Sequence, residues 1–282
     1  MPTSPDTVVL IHGLWMTSRS WERWAERYRG AGYDVVNESW PGMDAEVEAL
    51  RQDPAAIARQ NIGDIIDHYD RIVRALHRPP IIMGHSFGGA FTQVLLDRGL
   101  GAAGVAIHSA AVKGVTKLPF STLRTGWPIL RSPRNRRKAV PISVPQFQYR
   151  FTNHLTVEES AAPYERYCVP GAGGVLFEGA GANFKRSPAT KVDFGNDTRA
   201  PLLFVAGGID HVSPPSINKS NAKKYRKSSA TTDFKEFDDR SHFTLGQDGW
   251  EAVADYALEW ARERADRSAA NAEVTHRASV AP

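Results

Sequence analysis

The sequence predicts an α/β fold, a mostly parallel six-stranded sheet flanked by helices and interrupted by one long insertion. Three observations predict it. Short apolar runs alternate with helical patterns up to residue 111 and again from residue 199. Such alternation implies parallel strands joined by crossovers. One run, Ile81 to Met83, ends in Gly84-His85-Ser86-Phe87-Gly88 and passes straight into a small-residue helix start. Between Val112 and about Thr198 the rhythm breaks, and prolines and aromatics recur.

Thr7 to Ile11 is a β-branched run that reads as a buried strand closed by His12-Gly13. Ser18 and Ser20 are candidate N-caps for a helix carrying Trp21, Trp24 and Tyr28, which stops at Gly30-Ala31-Gly32. Tyr33 to Asn37 is the second strand. Asp44 to Arg59, acidic and broken by Pro54, reads as short helical turns. Ile62, Ile65, Ile66, Tyr69, Ile72, Val73 and Leu76 recur at steps of three and four, so one helix face is apolar. Pro79-Pro80 ends that helix before the third strand.

The Gly84–Gly88 turn organises the chain. A serine at the apex of a sharp strand-to-helix turn needs small neighbours, because a Cβ at Gly84 or Gly88 would clash across it. The helix from Phe87 to Arg98 would direct its free N–H groups and positive dipole end at whatever reacts with Ser86. Gly104 to His108 is the fourth strand, Leu202 to Ala206 the fifth and Asp233 to Phe237 the sixth. A basic helix, Ile217 to Arg226, separates the last two, and a final helix runs from Trp250 to about Arg264.

This divides the chain into a core (1–111 and 199–266), an inserted lid or cap (112–198) and a disordered Ala/Ser-rich tail (267–282). Within the insertion only Thr156 to Tyr167 reads as a helix, with Thr156 and Glu159 spaced as a capping box. Its many aromatics are too large and apolar for a linker, so it is expected to pack over the sheet's upper edge.

Composition narrows the class. One cysteine, Cys168, excludes an intrachain disulfide or a cysteine-based metal cage, and it reads as a small buried side chain. Met1-Pro2-Thr3-Ser4-Pro5 has no basic head or apolar core of a secretory signal, and no run approaches a bilayer span of about 20 apolar residues. A cytoplasmic protein is expected. The net charge is +4, and aromatics do not interleave with the basic patches at Arg134–Lys138 and Lys223–Lys227, so nucleic-acid binding is not expected. No His/Asp/Glu spacing suggests a metal, and no Gly-rich loop suits a dinucleotide, so no cofactor is expected.

A serine hydroxyl needs a base to take its proton, and the base needs an acid to orient it. In open parallel sheets such groups gather at the carboxyl ends of strands. Asp210 lies just past the fifth strand and His242 just past the sixth. With Gly84-His85-Ser86-Phe87-Gly88, Gly207-Gly208-Ile209-Asp210 and Ser241-His242-Phe243 in that order, and His12-Gly13 after the first strand, the chain resembles the α/β-hydrolase family from about Thr7 to Arg264. The resemblance implies a Ser86–His242–Asp210 triad, with the backbone N–H groups of Leu14 and Phe87 forming the oxyanion hole. Trp15 is the candidate substrate contact. Only six residues precede the first strand, so the family's opening hairpin is expected to be missing and the sheet is expected to be a minimal, six-stranded one.

Of nine histidines, His68 and His77 read as surface groups, and His12 and His85 as braces for their loops. His211 and the acids Asp238 and Asp239 are rivals in position only. Phe243 stands where hydroxynitrile lyases carry lysine, and Ser86 where haloalkane dehalogenases and epoxide hydrolases carry aspartate. The reading is a carboxylesterase acting on a small-to-medium apolar or aromatic ester, with a small molecule as its partner. The alternatives are a ligand-binding or sensing protein with a slow or silent triad, and non-hydrolytic triad chemistry such as perhydrolysis or C–C cleavage. Oligomeric state is open.

Overall fold

The computed structural model describes residues 4–280. Residues 1–3 and 281–282, on which the leader reading and the end of the tail fall, lie outside the described residues. In chain order the strands are β1 (Thr7–Ile11), β2 (Asp34–Val36), β3 (Ile81–His85), β4 (Ala103–Ile107), β5 (Ala139–Val140), β6 (Gly171–Ala172), β7 (Leu202–Gly207) and β8 (Thr232–Phe237). The helices are α1 (Glu22–Gly30), α2 (Val47–Gln52), α3 (Ala55–Ala58), α4 (Ile62–Ala75), α5 (Phe87–Asp97), α6 (Phe120–Leu130), α7 (Val144–Arg150), α8 (Ala161–Tyr167), α9 (Gly173–Ala180), α10 (Pro215–Lys224) and α11 (Trp250–Val280).

Six strands form one sheet in the order β2-β1-β3-β4-β7-β8, and every neighbouring pair is parallel. Strand side chains alternate between faces, so each run feeds two cores. Val8, Leu10, Ile81, Met83, Val105 and Val205 pack against Trp21, Trp24 and Tyr28 near and on α1 and against Val253 and Ala257 of α11. Val9, Ile11, Ile82, Ala106 and Phe204 point the other way, onto the apolar stripe of α4 and onto α5. The chain leaves β1 toward β2 on one side and then returns to β3 on the other, which opens a crevice at the carboxyl ends of β1 and β3.

Several local expectations are corrected. Neither Ser18 nor Ser20 caps α1: Thr17 caps a 3-10 turn, Ser18–Trp21, that precedes it. Thr156 and Glu159 do exchange capping bonds, of 2.8 and 3.2 Å, but these brace a turn ahead of α8, which starts at Ala161. The final helix does not stop near Arg264, and the tail expected to be disordered continues it to Val280. Alanine, glutamate and arginine favour helix without needing an apolar stripe.

The insertion is more regular than its prolines suggest. It holds α6 to α9 and a two-strand antiparallel ladder of β5 with β6. Phe147 and Phe151 stack at 5.0 Å between centroids and are buried. The insertion ties to the site loops by backbone: Val169 N–H donates to Trp15 C=O at 2.9 Å, and Phe243 N–H to Phe151 C=O at 3.0 Å. Buried Arg150 joins α7 to α6 by donating to Gln146 C=O (3.0 Å) and Thr125 C=O (2.8 Å).

Candidate active site

Ser86 sits between β3 and α5 with φ 56° and ψ −118°. A non-glycine residue with positive φ is strained and persists only where its surroundings hold it. They do so here by backbone: Ser86 N–H donates to Ile107 C=O at 3.0 Å, and Ser86 C=O accepts from Ala110 N–H at 2.9 Å. The flanking glycines are obligatory. A Cβ on Gly84 would lie 2.0 Å from Gly88 C=O, and one on Gly88 would lie 2.1 Å from Ile11 C=O.

Register places the β1 loop beside this turn, with Ile11 opposite Gly84. A Cβ on Gly13 would come within 2.7 Å of the Ser86 Cβ, so glycine there permits the close approach. His12 braces the loop: its Nε2 accepts the Trp40 N–H at 3.0 Å, which leaves the proton on Nδ1 to donate to Gly13 C=O at 2.9 Å. Its ring also stacks on Trp40 at 4.7 Å. Among the described residues, neither the Leu14 nor the Phe87 N–H donates to a protein acceptor. Two free donors therefore lie one residue beyond the closely approaching pair Gly13 and Ser86.

Asp210 and His242 meet as expected, with His242 Nδ1 donating to Asp210 Oδ2 at 2.7 Å, both side chains fully buried. Asp210 Oδ1 accepts the N–H groups of Val212 (2.7 Å) and Ser213 (2.9 Å). His242 Nε2 is buried and has no partner among the described residues. Ser86 is thus not hydrogen-bonded to it, and the His242 loop is tied to the turn one residue away, by His85 Nε2 donating to His242 C=O at 2.8 Å. The rivals point elsewhere. His211 Nδ1 engages Tyr149 C=O at 2.9 Å, and Asp239 pairs with Arg240 at 2.9 Å.

One group escaped sequence reasoning. His108, just past β4, places Nδ1 3.0 Å from the same Asp210 Oδ2, an ion-pair distance without hydrogen-bond alignment. It has φ 48°, and Gly207 clears room for its ring, since a Cβ there would lie 2.5 Å from His108 Cε1. It stands at a strand's carboxyl end like the others, and that position was the signal available. His85, His108 and His242 form a buried cluster with nitrogens within 4.8 Å of one another. His85 Nε2 serves His242 C=O and His242 Nδ1 serves Asp210, while His242 Nε2 and both His108 nitrogens have no hydrogen-bond partner among the described residues.

Burial alone would raise the Asp210 pKa, but its electrostatic and hydrogen-bonding interactions with the His242 and His108 imidazoles outweigh it and hold the carboxyl well below the usual range. Burial lowers His12 from 6.5 to about 4, and it also lowers His85 and His108. These histidines fold neutral, so the unfolded chain binds more protons, and stability falls as pH drops below 6.5. For His12 the loss between pH 6.5 and 4 is on the order of 3 kcal/mol. Urea midpoints measured across that window should decline in the wild type and less steeply in His12→Asn. Equal slopes in the two proteins would remove His12 as a source.

Above Ser86 lies a cavity of about 450 Å³. Trp15 and Phe87 lie at its inner end with Ser86, and Ala110, Val115, Leu176 and Ile217 wall it. Leu118, Leu123 and Phe184, all exposed, form its outer edge. No helix among the described residues is long and apolar enough to cross a membrane.

A family model described as the alpha/beta hydrolase family matches residues 8–256. No curated protein matches the chain. Among solved structures, a monoacylglycerol lipase from Paleococcus ferrophilus superposes with a TM-score of 0.60 at 20% identity, covering 93% of this chain and 96% of its own. A pyrethroid hydrolase from Sphingobium faniae JZ-2 gives 0.66 at 15% identity over 92% and 98% of the two chains. An extracellular alpha/beta-hydrolase from a Paenibacillus species gives 0.63 at 16% identity over 90% and 98%. At these identities the likeness speaks for the fold alone.

Proposed function

This chain belongs to the alpha/beta hydrolase family, and from that premise we propose that it is a serine hydrolase, a carboxylesterase for small-to-medium apolar or aromatic esters. The observation that carries the reading is Ser86, held at φ 56° beside two free N–H donors and the neighbouring His242–Asp210 pair. In this reading Ser86 Oγ attacks the ester carbonyl while His242 Nε2, the ring nitrogen without a partner, takes its proton. Asp210 fixes the tautomer and stabilises the imidazolium. The Leu14 and Phe87 N–H groups hold the oxyanion, each donor contributing roughly 3–4 kcal/mol to lowering the barrier in comparable enzymes. The proton then passes to the leaving alcohol, and water attacks the acyl-enzyme.

The residues around the cavity support the substrate class, since its walls are mostly apolar. In the same reading residues 112–198 act as a cap that screens the acyl pocket, and Trp15 contacts the substrate. A fluorophosphonate probe should label Ser86 stoichiometrically, and His242→Gln should abolish labelling. Incubation with a phenyl ester should release acid and alcohol in equal amounts without hydrogen peroxide. Absence of labelling would favour a silent binding protein, and turnover that requires peroxide would favour perhydrolysis.

A further inference from the structure

The insertion leaves large apolar side chains in water, against the expectation that it buries its aromatics. Phe184 is 93% exposed, Phe120 78%, Leu118 64%, Trp127 58% and Leu123 40%. Their placement is ordered. Phe120, Leu123 and Trp127 recur at steps of three and four along α6 and share its outer face, while Thr125 and Ile129 are buried on the inner one. Leu118, Leu123 and Phe184 also line the cavity above Ser86. Exposed apolar surface is therefore continuous with the cavity lining.

Charge follows the same segment. From Val112 to Val140 the chain holds eight Lys or Arg and no Asp or Glu, while the whole protein carries only +4, so the rest of the chain sums to −4. Arg124 lies on the outer side of α6, and residues 131–138 continue from its end through a 3-10 turn, Pro133–Arg137. Arg131, Arg134, Arg136, Arg137 and Lys138 are all exposed. Contiguous exposed apolar side chains mark an interaction site, and here a basic stretch flanks them.

We propose that this face docks the protein onto a phospholipid surface carrying anionic headgroups, with the cavity mouth turned toward the acyl layer. The aromatic and leucine side chains enter below the headgroups, and the flanking cations pair with phosphates. The charge argues against a second copy as occupant, because an isologous contact would set two such basic stretches against each other. Nucleic acid would match the charge but not Leu118 and Leu123 at the mouth of an apolar cavity.

The proposal goes beyond the esterase reading and does not depend on turnover, so a binding assay separates the failure of one from the failure of the other. The full chain should float with vesicles of mixed phosphatidylglycerol and phosphatidylcholine, and much less with phosphatidylcholine alone or at high salt. Phe120→Ser/Trp127→Ser, at positions outside the cavity lining, should bind at least about tenfold more weakly, with unchanged turnover of a soluble ester. Arg134→Glu/Arg137→Glu should weaken binding by a comparable factor, whatever the first variant does to folding. Equal flotation of the variants and wild type, wild type that stays with neither vesicle, or equal binding to neutral vesicles would overturn the proposal. So would a solution dimer dissolved by the Phe120/Trp127 substitutions, or tighter binding to an RNA oligonucleotide than to vesicles.

Discussion

Replacing Ser86 with alanine is expected to lower kcat for a p-nitrophenyl ester by at least about 10⁴-fold, with the unfolding midpoint held or slightly raised. The change removes one oxygen and leaves the Cβ that the turn already accommodates. Ser86 Oγ makes no hydrogen bond to the protein among the described residues, so no buried partner is orphaned by its loss. The positive φ of 56° is a cost to folding that alanine shares, and the backbone bonds to Ile107 and Ala110 remain. Because nucleophile and base act as a unit, Ser86→Ala/His242→Gln should be no slower than either single variant. Retained turnover in Ser86→Ala would remove Ser86 from the chemistry, and a further loss in the double variant would show that His242 acts by another route.

The second large effect is on folding. Gly88→Ala places a Cβ 2.1 Å from Ile11 C=O, 2.8 Å from its carbonyl carbon and 2.9 Å from His12 C=O. These are backbone atoms at the end of a central strand, so no rotamer change relieves the clash, and β1 must separate from α5. The expected cost is at least about 3 kcal/mol, above that of ordinary overpacking, with loss of ester turnover because the His12–Leu14 loop moves with β1. Gly30→Ala is the control. It ends α1, has nothing within 4 Å of an added Cβ and should be neutral or mildly stabilising. Urea unfolding of the two variants decides the matter: similar midpoints would mean that the turn has slack the structure does not show.

The parts of the site that were legible in the sequence each carry local chemistry. Ser86 is marked by glycines two positions to either side, whose absent side chains the turn requires. Asp210 stands just past the apolar run Leu202 to Ala206 and His242 past the mixed run Asp233 to Phe237, both of which read as strands. The insertion was legible only at Thr156 and Glu159, since prolines and scattered aromatics obscure the short helices that tertiary contacts complete. α11 outran its expected end because alanine-rich helix needs no apolar stripe to continue. His108 occupies the same kind of strand end as Asp210, but no flanking motif distinguishes it from an ordinary strand residue.

By itself the sequence determined the order of strands and helices outside residues 112–198, the sharp turn at Ser86 and the identity of the groups at three strand ends. Each depends on residues within a few positions of one another, through backbone propensity, side-chain alternation and the steric demands of glycine. Only the tertiary structure decided that a second imidazole, His108, stands 3.0 Å from the Asp210 carboxylate, and that His85 ties the His242 loop to the serine turn. It also decided which aromatics of the insertion are buried, as Phe147 and Phe151 are, and which face water, as Phe120, Trp127 and Phe184 do. Burial and close approach between residues far apart in the chain depend on where the sheet's crossovers carry them, and no local pattern encodes that.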